Sequence, residues 1–289
     1  MLTRTGFIGR IRPIMLLGLA LLMAGVLSAA LSCSGRTSTT TIVVTTTVAP
    51  TTTTVAPTTT TAAPATTTTV ASTTTTIVAS TTTADGLVIL PQYQVVQAVG
   101  NVRALDSPGG TTVQTFNRLN VLKEVTTLLV LRSELERGLV WYEVRLPCRP
   151  NGSTGWVSSD EVRASWISTA IVVQRGVHRL TLYDQGREVG SYPICVGTAV
   201  NPTPTGAFFV IGVLKPNPRG AYGPYAIGTS AFSETLTDWP GGGVVGIHGT
   251  NNPSSVGRSV SHGCVRLNNS DITQIAQMVS LGTPIFIVP

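Results

Sequence analysis

Short alternations of apolar and polar residues fill the sequence from Gly86 to its end. Up to residue 165 they include "VVQAVGNVRAL", "TTVQTF", "TLLVLRSE" and "LVWYEVRL", with turns such as "DSPGG" and "PNGSTG" between them. A period of two is typical of strands that bury one face. We therefore predict a small β-barrel over residues 86–165, in which the bulk of Trp141 and Trp156 favours core packing over contact with a ligand.

The same pattern continues over residues 166–289, in "STAIVVQ", "RLTLYDQG", "EVGSYPICVG", "GAFFVIGVL", "GGVVGIHG" and the final "PIFIV". These runs predict a second, mostly β domain. One amphipathic helix is predicted after "NNSD", because four apolar residues there follow the i, i+3, i+4, i+7 spacing. They are Ile272, Ile275, Ala276 and Val279.

Residues 215–243 interrupt the strand pattern with "KPNPRGAYGPYAIGTSAFSETLTDWPGGG", which predicts a long loop. Long loops in compact domains often carry function, so Tyr222, Tyr225 and Trp239 are candidates for the wall of a substrate cleft. A surface loop with packed aromatic residues explains the same composition.

Residues 1–33 have the character of an export segment, with three arginines ahead of an uncharged apolar run from Pro13 to Leu31. A run of this length also suffices to span a membrane. In addition, "AALSCSG" places Cys33 behind a small residue, as in a lipoprotein. A cleaved signal, a retained helix and a lipid anchor are therefore all open, and each predicts a location outside the cytoplasm.

Residues 34–85 repeat units such as "TTTTVAP" and "TTTTVAS". With no aromatic residue, such a segment cannot bury enough apolar surface to offset its chain entropy, which predicts a disordered Thr-rich stalk. The formal net charge of the chain is +6, but from Gly86 onward there are 15 basic and 12 acidic residues. That mild balance does not favour nucleic acid as a partner.

The stretch "GIHGTNNPSSVGRSVSHGCVRL", residues 246–267, concentrates the candidate chemistry. His248, His262 and Cys264 are too few and too unpaired to indicate a zinc site, and no CxxC pair occurs in the chain. A lone buried Cys or His is common in cores, but burial fits poorly beside two glycines and Arg266. A nucleophilic thiol explains more of these residues, because a neighbouring histidine and a positive charge raise the thiolate fraction.

The "SHGC" turn also offers donors for an oxyanion. We predict the N–H groups of Gly263 and Cys264 in that role, together with that of His262. Arg266 is a candidate for binding a substrate carboxylate through two hydrogen bonds, and Ser261 is a further candidate for substrate contact.

The combination of "IHGT", "SHGCVRL" and the upstream "PTPTGAFFV" resembles the motif of the L,D-transpeptidases with a YkuD-type catalytic domain. This resemblance covers residues 166–289. In addition, "WYEVRLP" and "RPNGSTGWV" resemble bacterial SH3-like modules over about residues 92–164, which predicts such a module for the domain 86–165. The resemblance implies a catalytic β-sandwich that acts on peptidoglycan without a cofactor or metal. Some members have Asn where this chain has Arg266, which leaves the substrate contact open.

Carried over residue by residue, the motif implies that Cys264 is the nucleophile and His248 the proton donor and acceptor. Ser261, His262 and Gly263 then shape the turn. The implied reaction cleaves a tetrapeptide stem before its terminal D-Ala and joins the thioester to an amine, giving a 3→3 cross-link. Carbapenem-type β-lactams are the implied covalent inhibitors.

Two rival functions are kept, a carboxypeptidase that uses water as acceptor and a non-catalytic wall-binding protein. Because the nucleophile has to stay free, we also expect Cys148 and Cys195 to form a disulfide between the two domains. The membrane is expected as a partner only through the N-terminal segment.

Overall fold

The computed structural model describes residues 80–83, 85–238 and 241–289. The predicted leader, most of the predicted stalk and Trp239 lie outside these residues. The described strands are β1 (Thr81–Thr82), β2 (Val88–Ile89), β3 (Tyr93–Ala98), β4 (Val102–Leu105), β5 (Thr112–Phe116), β6 (Thr127–Glu136), β7 (Leu139–Arg145), β8 (Thr154–Ser158), β9 (Val162–Ile167), β10 (Thr169–Gln174), β11 (Arg179–Asp184), β12 (Arg187–Pro193), β13 (Val196–Gly197), β14 (Gly206–Leu214), β15 (Ala226–Phe232), β16 (Val244–His248), β17 (Ser259–Ser261), β18 (Val265–Arg266) and β19 (Pro284–Val288). The described helices are a 3-10 turn, Pro253–Ser255, and α1, Asn269–Met278.

The first sheet has seven strands, in the order β5-β4-β8-β7-β6-β3-β9. All of its pairings are antiparallel, as expected for strands joined by short turns. Its edge strands β5 and β9 do not pair, so it is an open sheet rather than the closed barrel that we expected. Trp156 is buried in it and Trp141 is half-buried. The resemblance to SH3-like modules stays a prediction.

The second sheet has eight strands in the order β12-β11-β10-β19-β14-β15-β16-β18. The predicted closing strand, β19, lies in its middle and pairs in parallel with β10 and antiparallel with β14. Strands β16 and β18 are the other parallel pair of this sheet, and β13 and β17 form a separate parallel pair. The chain is therefore mainly β, as the alternation indicates.

The two faces of the second sheet pack against different layers. Alternate residues of its central strands, such as Val172, Phe209 and Phe286, join the core beneath the first sheet. Their neighbours in the same strands, such as Ile171 and Phe208, join the core on the other face, where α1 packs. This follows from the pleat, which points successive side chains to opposite faces. Each such fully buried side chain contributes about 1.5–3 kcal/mol.

Leu122 of the first domain rests on a pair of facing glycines in the second. Gly212 of β14 is paired with Gly228 of β15. A Cβ on Gly212 or Gly228 would lie 2.7 or 2.6 Å from the Cδ1 of Leu122, so a larger residue at either position would force the Leu122 side chain to shift. Asn120 donates to the Ile211 carbonyl beside it at 2.7 Å. The two domains therefore meet through interlocked packing as well as hydrogen bonds.

Strand β15 corrects the loop predicted over residues 215–243. Seven of those residues form a strand between β14 and β16 whose Ile227, Thr229 and Ala231 are buried. The sequence "AIGTSAF" does not show a clear alternation of apolar and polar residues, because most of its residues are small. It also contains a glycine, Gly228, and glycine is depleted in strands in general. Its Gly228 also contacts Leu122 of the first domain, and a local pattern does not reveal such a contact.

The N-terminal boundaries also change. Thr81–Thr82, inside the stretch predicted as disordered, form strand β1 and pair with β2. Strand β9 carries Trp166 and Ile167 past the predicted domain boundary.

The predicted helix is confirmed as α1, with Ile272, Ile275 and the following Val279 buried. No helix in the described ranges has the length and apolarity needed to cross a membrane.

Candidate active site

The parallel pair β16 and β18 brings the two halves of the sequence motif together. Ile247 is opposite Val265 and His248 is opposite Arg266. The Leu267 N–H donates to the His248 carbonyl at 2.9 Å and closes the ladder. Cys264 immediately precedes β18, so this register places it beside the strand that ends at His248.

The thiol of Cys264 accepts a hydrogen bond from the backbone N–H of Gly246 at 3.4 Å. Although the residue is partly exposed, burial is the largest influence on the thiol and raises its pKa. The Gly246 N–H and the charge of Arg266 both lower the pKa, but by less. At neutral pH the resting group is therefore a thiol, and it needs a base to become a nucleophile.

His248, on the neighbouring strand, is buried and holds a defined tautomer. Its Nδ1 lies 2.6 Å from the carbonyl oxygen of Gly249. A carbonyl only accepts, so Nδ1 carries the proton and Nε2 keeps its lone pair in the neutral ring. Burial lowers the pKa of His248 to about 4; the bond to Gly249 opposes this shift and the charge of Arg266 adds to it.

The turn that presents Cys264 is held by two hydroxyl groups. The Ser261 hydroxyl donates to the Cys264 carbonyl at 2.6 Å, and its oxygen accepts the Gly263 N–H at 3.1 Å. The buried Thr203 hydroxyl donates to the Gly263 carbonyl at 2.7 Å. Gly263 has φ +118°, a conformation that strongly favours glycine.

These contacts correct part of the predicted oxyanion site. Because the Gly263 N–H is already bonded to Ser261, the prediction that it is a free donor is wrong, and Gly263 shapes the turn instead. The Cys264 N–H has no hydrogen-bond partner among the described residues. It remains the candidate donor. His262 projects to the surface.

The structure separates the two predicted cleft tyrosines. The ring of Tyr222 packs on the imidazole of His248, with centroids 4.7 Å apart and planes tilted by 58°. Burial raises the pKa of the Tyr222 phenol, as does the nearby Cys264. Tyr225 instead packs against the core around α1, and Lys215 Nζ lies 5.6 Å from its ring centroid. Only Tyr222 is therefore brought to the imidazole.

Arg266 supplies the positive charge of this region. It is partly exposed, and its guanidinium forms no ion pair within the described part of the chain. A surface arginine without a carboxylate partner is suited to bind one from a ligand. The described residues contain no group of three His, Cys, Asp or Glu side chains that suits a metal.

The predicted disulfide between Cys148 and Cys195 is wrong. Cys195 is a free, fully buried thiol whose backbone pairs with that of Arg266. Cys148 is disulfide-bonded and lies in the core beneath the first sheet. The spacing of cysteines in the sequence does not show that Cys195 stays free.

Sequence reasoning did not identify two residues that shape the site, Thr203 and Asn269. Thr203 lies within the quoted "PTPTG" run, and its oxygen also accepts the Gly197 N–H at 2.9 Å. Asn269 follows the "SHGCVRLN" run and accepts the Thr250 N–H at 2.9 Å. Both are polar residues adjacent to the motif, and that proximity is the signal that was available.

Comparison with known proteins identifies residues 168–287 with a family model described as the L,D-transpeptidase catalytic domain (YkuD). A Bacillus licheniformis protein named as an L,D-transpeptidase, YkuD, is 40% identical over 119 residues, which is 41% of this chain and 65% of that protein. The Bacillus subtilis YkuD is 39% identical over 117 residues, or 40% of this chain and 64% of that protein. The chain thus spans somewhat less than two thirds of these two relatives.

A third relative, Bacillus subtilis YqjB, is also named as an L,D-transpeptidase. It is 30% identical over 125 residues, which is 40% of this chain and 69% of that protein. A solved L,D-transpeptidase from Mycobacterium smegmatis aligns with 19% identity and a TM-score of 0.34, over 52% of this chain and 91% of that one.

Proposed function

This chain belongs to the L,D-transpeptidase (YkuD) family, and we propose that it forms 3→3 cross-links in peptidoglycan through a thioester on Cys264. The observation that carries the proposal is the parallel pairing of β16 and β18, which joins a buried neutral histidine and a thiol at one edge of the sheet. The family membership supports acyl transfer as the reaction class.

In the acylation step, His248 Nε2 takes the thiol proton of Cys264. The thiolate attacks the carbonyl carbon at the L-centre of diaminopimelate, and the oxygen becomes an oxyanion that the Cys264 N–H stabilises. As the tetrahedral intermediate collapses, the C–N bond to the terminal D-Ala breaks, and its nitrogen takes the proton from His248. D-Ala leaves as an amine, and a thioester remains on Cys264.

In the second step, the side-chain amine of another stem peptide attacks the thioester. His248 accepts the proton that this amine loses and returns it to the departing thiolate, so the enzyme regains its resting state. Water in place of the amine gives the carboxypeptidase reaction. Arg266 is placed to bind a carboxylate of the stem, and Tyr222 forms part of the wall beside His248.

The neutral resting pair suits this chemistry. Burial raises the pKa of Cys264 and lowers that of His248, so proton transfer takes place when substrate displaces water and adds its own contacts.

Carbapenem-type β-lactams present a strained amide carbonyl to the same thiol. We propose that they acylate Cys264. We also propose export through residues 1–33, which lets the site meet peptidoglycan.

The test of this proposal is to incubate the full chain with disaccharide tetrapeptides and to measure the masses of the products by mass spectrometry. The proposal expects cross-linked dimers with loss of D-Ala from the wild type and none from Cys264→Ala. Tripeptide without dimer would assign the carboxypeptidase reaction instead. Binding without either product would leave a wall-binding protein.

A further inference from the structure

Asn269, the first residue of α1, is joined to His248 through a single peptide unit. The carbonyl of Gly249 accepts the Nδ1–H of His248 at 2.6 Å. The N–H of Thr250 belongs to the same peptide unit and donates to the Oδ1 of Asn269 at 2.9 Å. In a trans peptide the C=O and N–H point in opposite directions, so the three groups form one continuous chain of hydrogen bonds.

Two glycines allow this approach of Asn269 to the peptide. A Cβ on Gly249 would lie 2.4 Å from the Asn269 Oδ1, and a Cβ on Gly223 would lie 2.2 Å from it. Gly223 also has φ +64°, and its neighbour Tyr222 packs on the imidazole. The amide of Asn269 is therefore at the centre of the three segments that surround one side of His248.

The position of Asn269 is fixed by its helix. Ile272 and Ile275 bury α1 against the second sheet, and the Thr273 hydroxyl donates to the Asn269 carbonyl at 2.7 Å. The Asn269 side chain thus starts from an anchored backbone. An amide that cannot move away holds the Gly249–Thr250 peptide in one orientation.

Orientation of this peptide decides which nitrogen of His248 carries the proton. A neutral imidazole has two tautomers, and only the one with Nδ1–H donates to the Gly249 carbonyl. Hydrogen bonds in a chain polarise one another, so the bond from Thr250 to Asn269 strengthens the acceptor that His248 faces.

We propose that Asn269 is a positioning residue for His248, which acts through the Gly249–Thr250 peptide to fix the tautomer whose Nε2 is free to accept a proton. Asn269 touches neither the thiol nor the substrate in this role. The catalytic consequence rests on the proposed function, whereas the tautomer does not.

The test is ¹⁵N NMR of the full chain with labelled histidines. The chain has three histidines, and the signals of His248 are identified by their loss in His248→Asn. The wild type is expected to show protonated Nδ1 and unprotonated Nε2. Asn269→Leu, which removes the acceptor, is expected to populate the opposite tautomer to a third or more. An unchanged tautomer in Asn269→Leu overturns the proposal.

Asn268→Leu is the matched control. Asn268 is the N-cap of the same helix, and its side-chain amide donates to Asp271 Oδ2 at 3.2 Å and not to the Gly249–Thr250 peptide. This variant is expected to keep the wild-type tautomer. A tautomer change of the same size in Asn268→Leu would show that general loosening of the helix start is the cause, and would overturn the proposal.

Asn269→Asp covers the case in which Asn269→Leu does not fold. The carboxylate keeps the acceptor for Thr250 and adds a negative charge to the chain, so the NMR titration is expected to give a higher pKa for His248 than in the wild type. An unchanged pKa contradicts the coupling.

A second experiment measures the activity of the same variants as the rate of D-Ala release. Asn269→Leu is expected to lower kcat about tenfold, the effect of one orienting hydrogen bond, with KM changed less than about twofold. Asn269→Asp is expected to recover most of the loss. A wild type that releases no D-Ala refutes the proposed function, while the tautomer measurement still decides the role of Asn269.

Discussion

The Gly246 N–H donates to the Cys264 Sγ at 3.4 Å across two parallel strands. The thiol is therefore held by the register of a sheet, in which Ile247 pairs with Val265, and not by a mobile loop. A nucleophile on such a support keeps its geometry while substrates bind and leave. The following predictions depend on this arrangement and on the residues behind it.

Cys264 and Cys195 are the two free thiols of the described chain, and they are expected to behave differently toward a carbapenem. Cys264 is partly exposed beside His248, whereas Cys195 is fully buried. Intact-mass spectrometry should show one adduct on the wild type and on Cys195→Ala, and none on Cys264→Ala. An adduct that survives Cys264→Ala would place the reactive thiol elsewhere.

We expect His248 to make the folded state less stable in acid. Its pKa is about 4 in the folded protein because burial disfavours the imidazolium, against an ordinary value of 6.5. Between these values the unfolded chain takes up the proton and the folded chain does not. The contribution of His248 is therefore fully present above about pH 6.5 and is lost as the pH falls toward 4.

The size of this loss is roughly 2 to 3 kcal/mol in the free energy of unfolding at pH 4.5. Urea denaturation at pH 7.5 and pH 4.5 measures it. His248→Asn keeps an N–H near the Nδ1 position but does not titrate, so its stability should fall less between the two pH values. Equal losses of stability in the wild type and in His248→Asn would mean that the pKa of His248 is not lowered by folding.

Thr203 is expected to matter through its hydroxyl rather than its volume. The hydroxyl joins the Gly197 N–H to the Gly263 carbonyl, and the residue is 1% exposed. Thr203→Val keeps the shape but leaves both backbone groups buried without a partner, at a cost of about 1–3 kcal/mol. Thr203→Ser keeps the bonds and loses one methyl group, at a cost of about 0.8 kcal/mol.

Urea denaturation and the rate of carbapenem acylation give the ranking of the two Thr203 variants. We expect Thr203→Val to be the less stable protein and the slower to acylate, since the Gly263 turn loses its support. A valine variant that matches the serine variant in both measurements would argue that the hydroxyl has no part in holding the turn.

Local patterns in the sequence predict the strands whose apolar residues are large, but not a strand that is built mostly of small residues. The run "PIFIV" at the end of the chain, Pro284–Val288, is recognisable as a strand, although not as a central one. The sequence does not reveal strand β15, because its residues are mostly small and the contact between Gly228 and Leu122 joins distant parts of the chain. Pairing across a sheet is a property of the fold, which a period of two does not encode.

The candidate site likewise contains residues that the sequence predicts and residues that it does not. Cys264 and His248 were predicted because their chemistry is carried by the side chains themselves. Asn269 and Thr203 act through backbone groups of other segments, so their roles depend on contacts between residues 19 and 60 positions apart. The Gly263 N–H was assigned as a free donor because the sequence does not show that Ser261 reaches it.

Arg149, in a turn of the first domain, holds the segment that leads into β16. Its guanidinium donates to the carbonyls of Ser233 at 2.6 Å and Gly242 at 3.0 Å, and lies 5.0 Å from the ring centroid of Phe232. The Ser233 N–H in turn donates to the Gly243 carbonyl at 2.7 Å. Arg149→Met keeps much of the apolar stem and removes both donors.

Arg149→Met is expected to speed amide hydrogen exchange at Ser233 about tenfold or more, because two hydrogen bonds that close this segment are lost. Arg103→Met is the matched control, since Arg103 lies in the same domain but pairs with Glu161 at the surface, where an ion pair contributes about 0–1 kcal/mol. Exchange measured by NMR at Ser233 should be unchanged in that control. Equal exchange in both variants would mean that the first domain does not order the approach to His248.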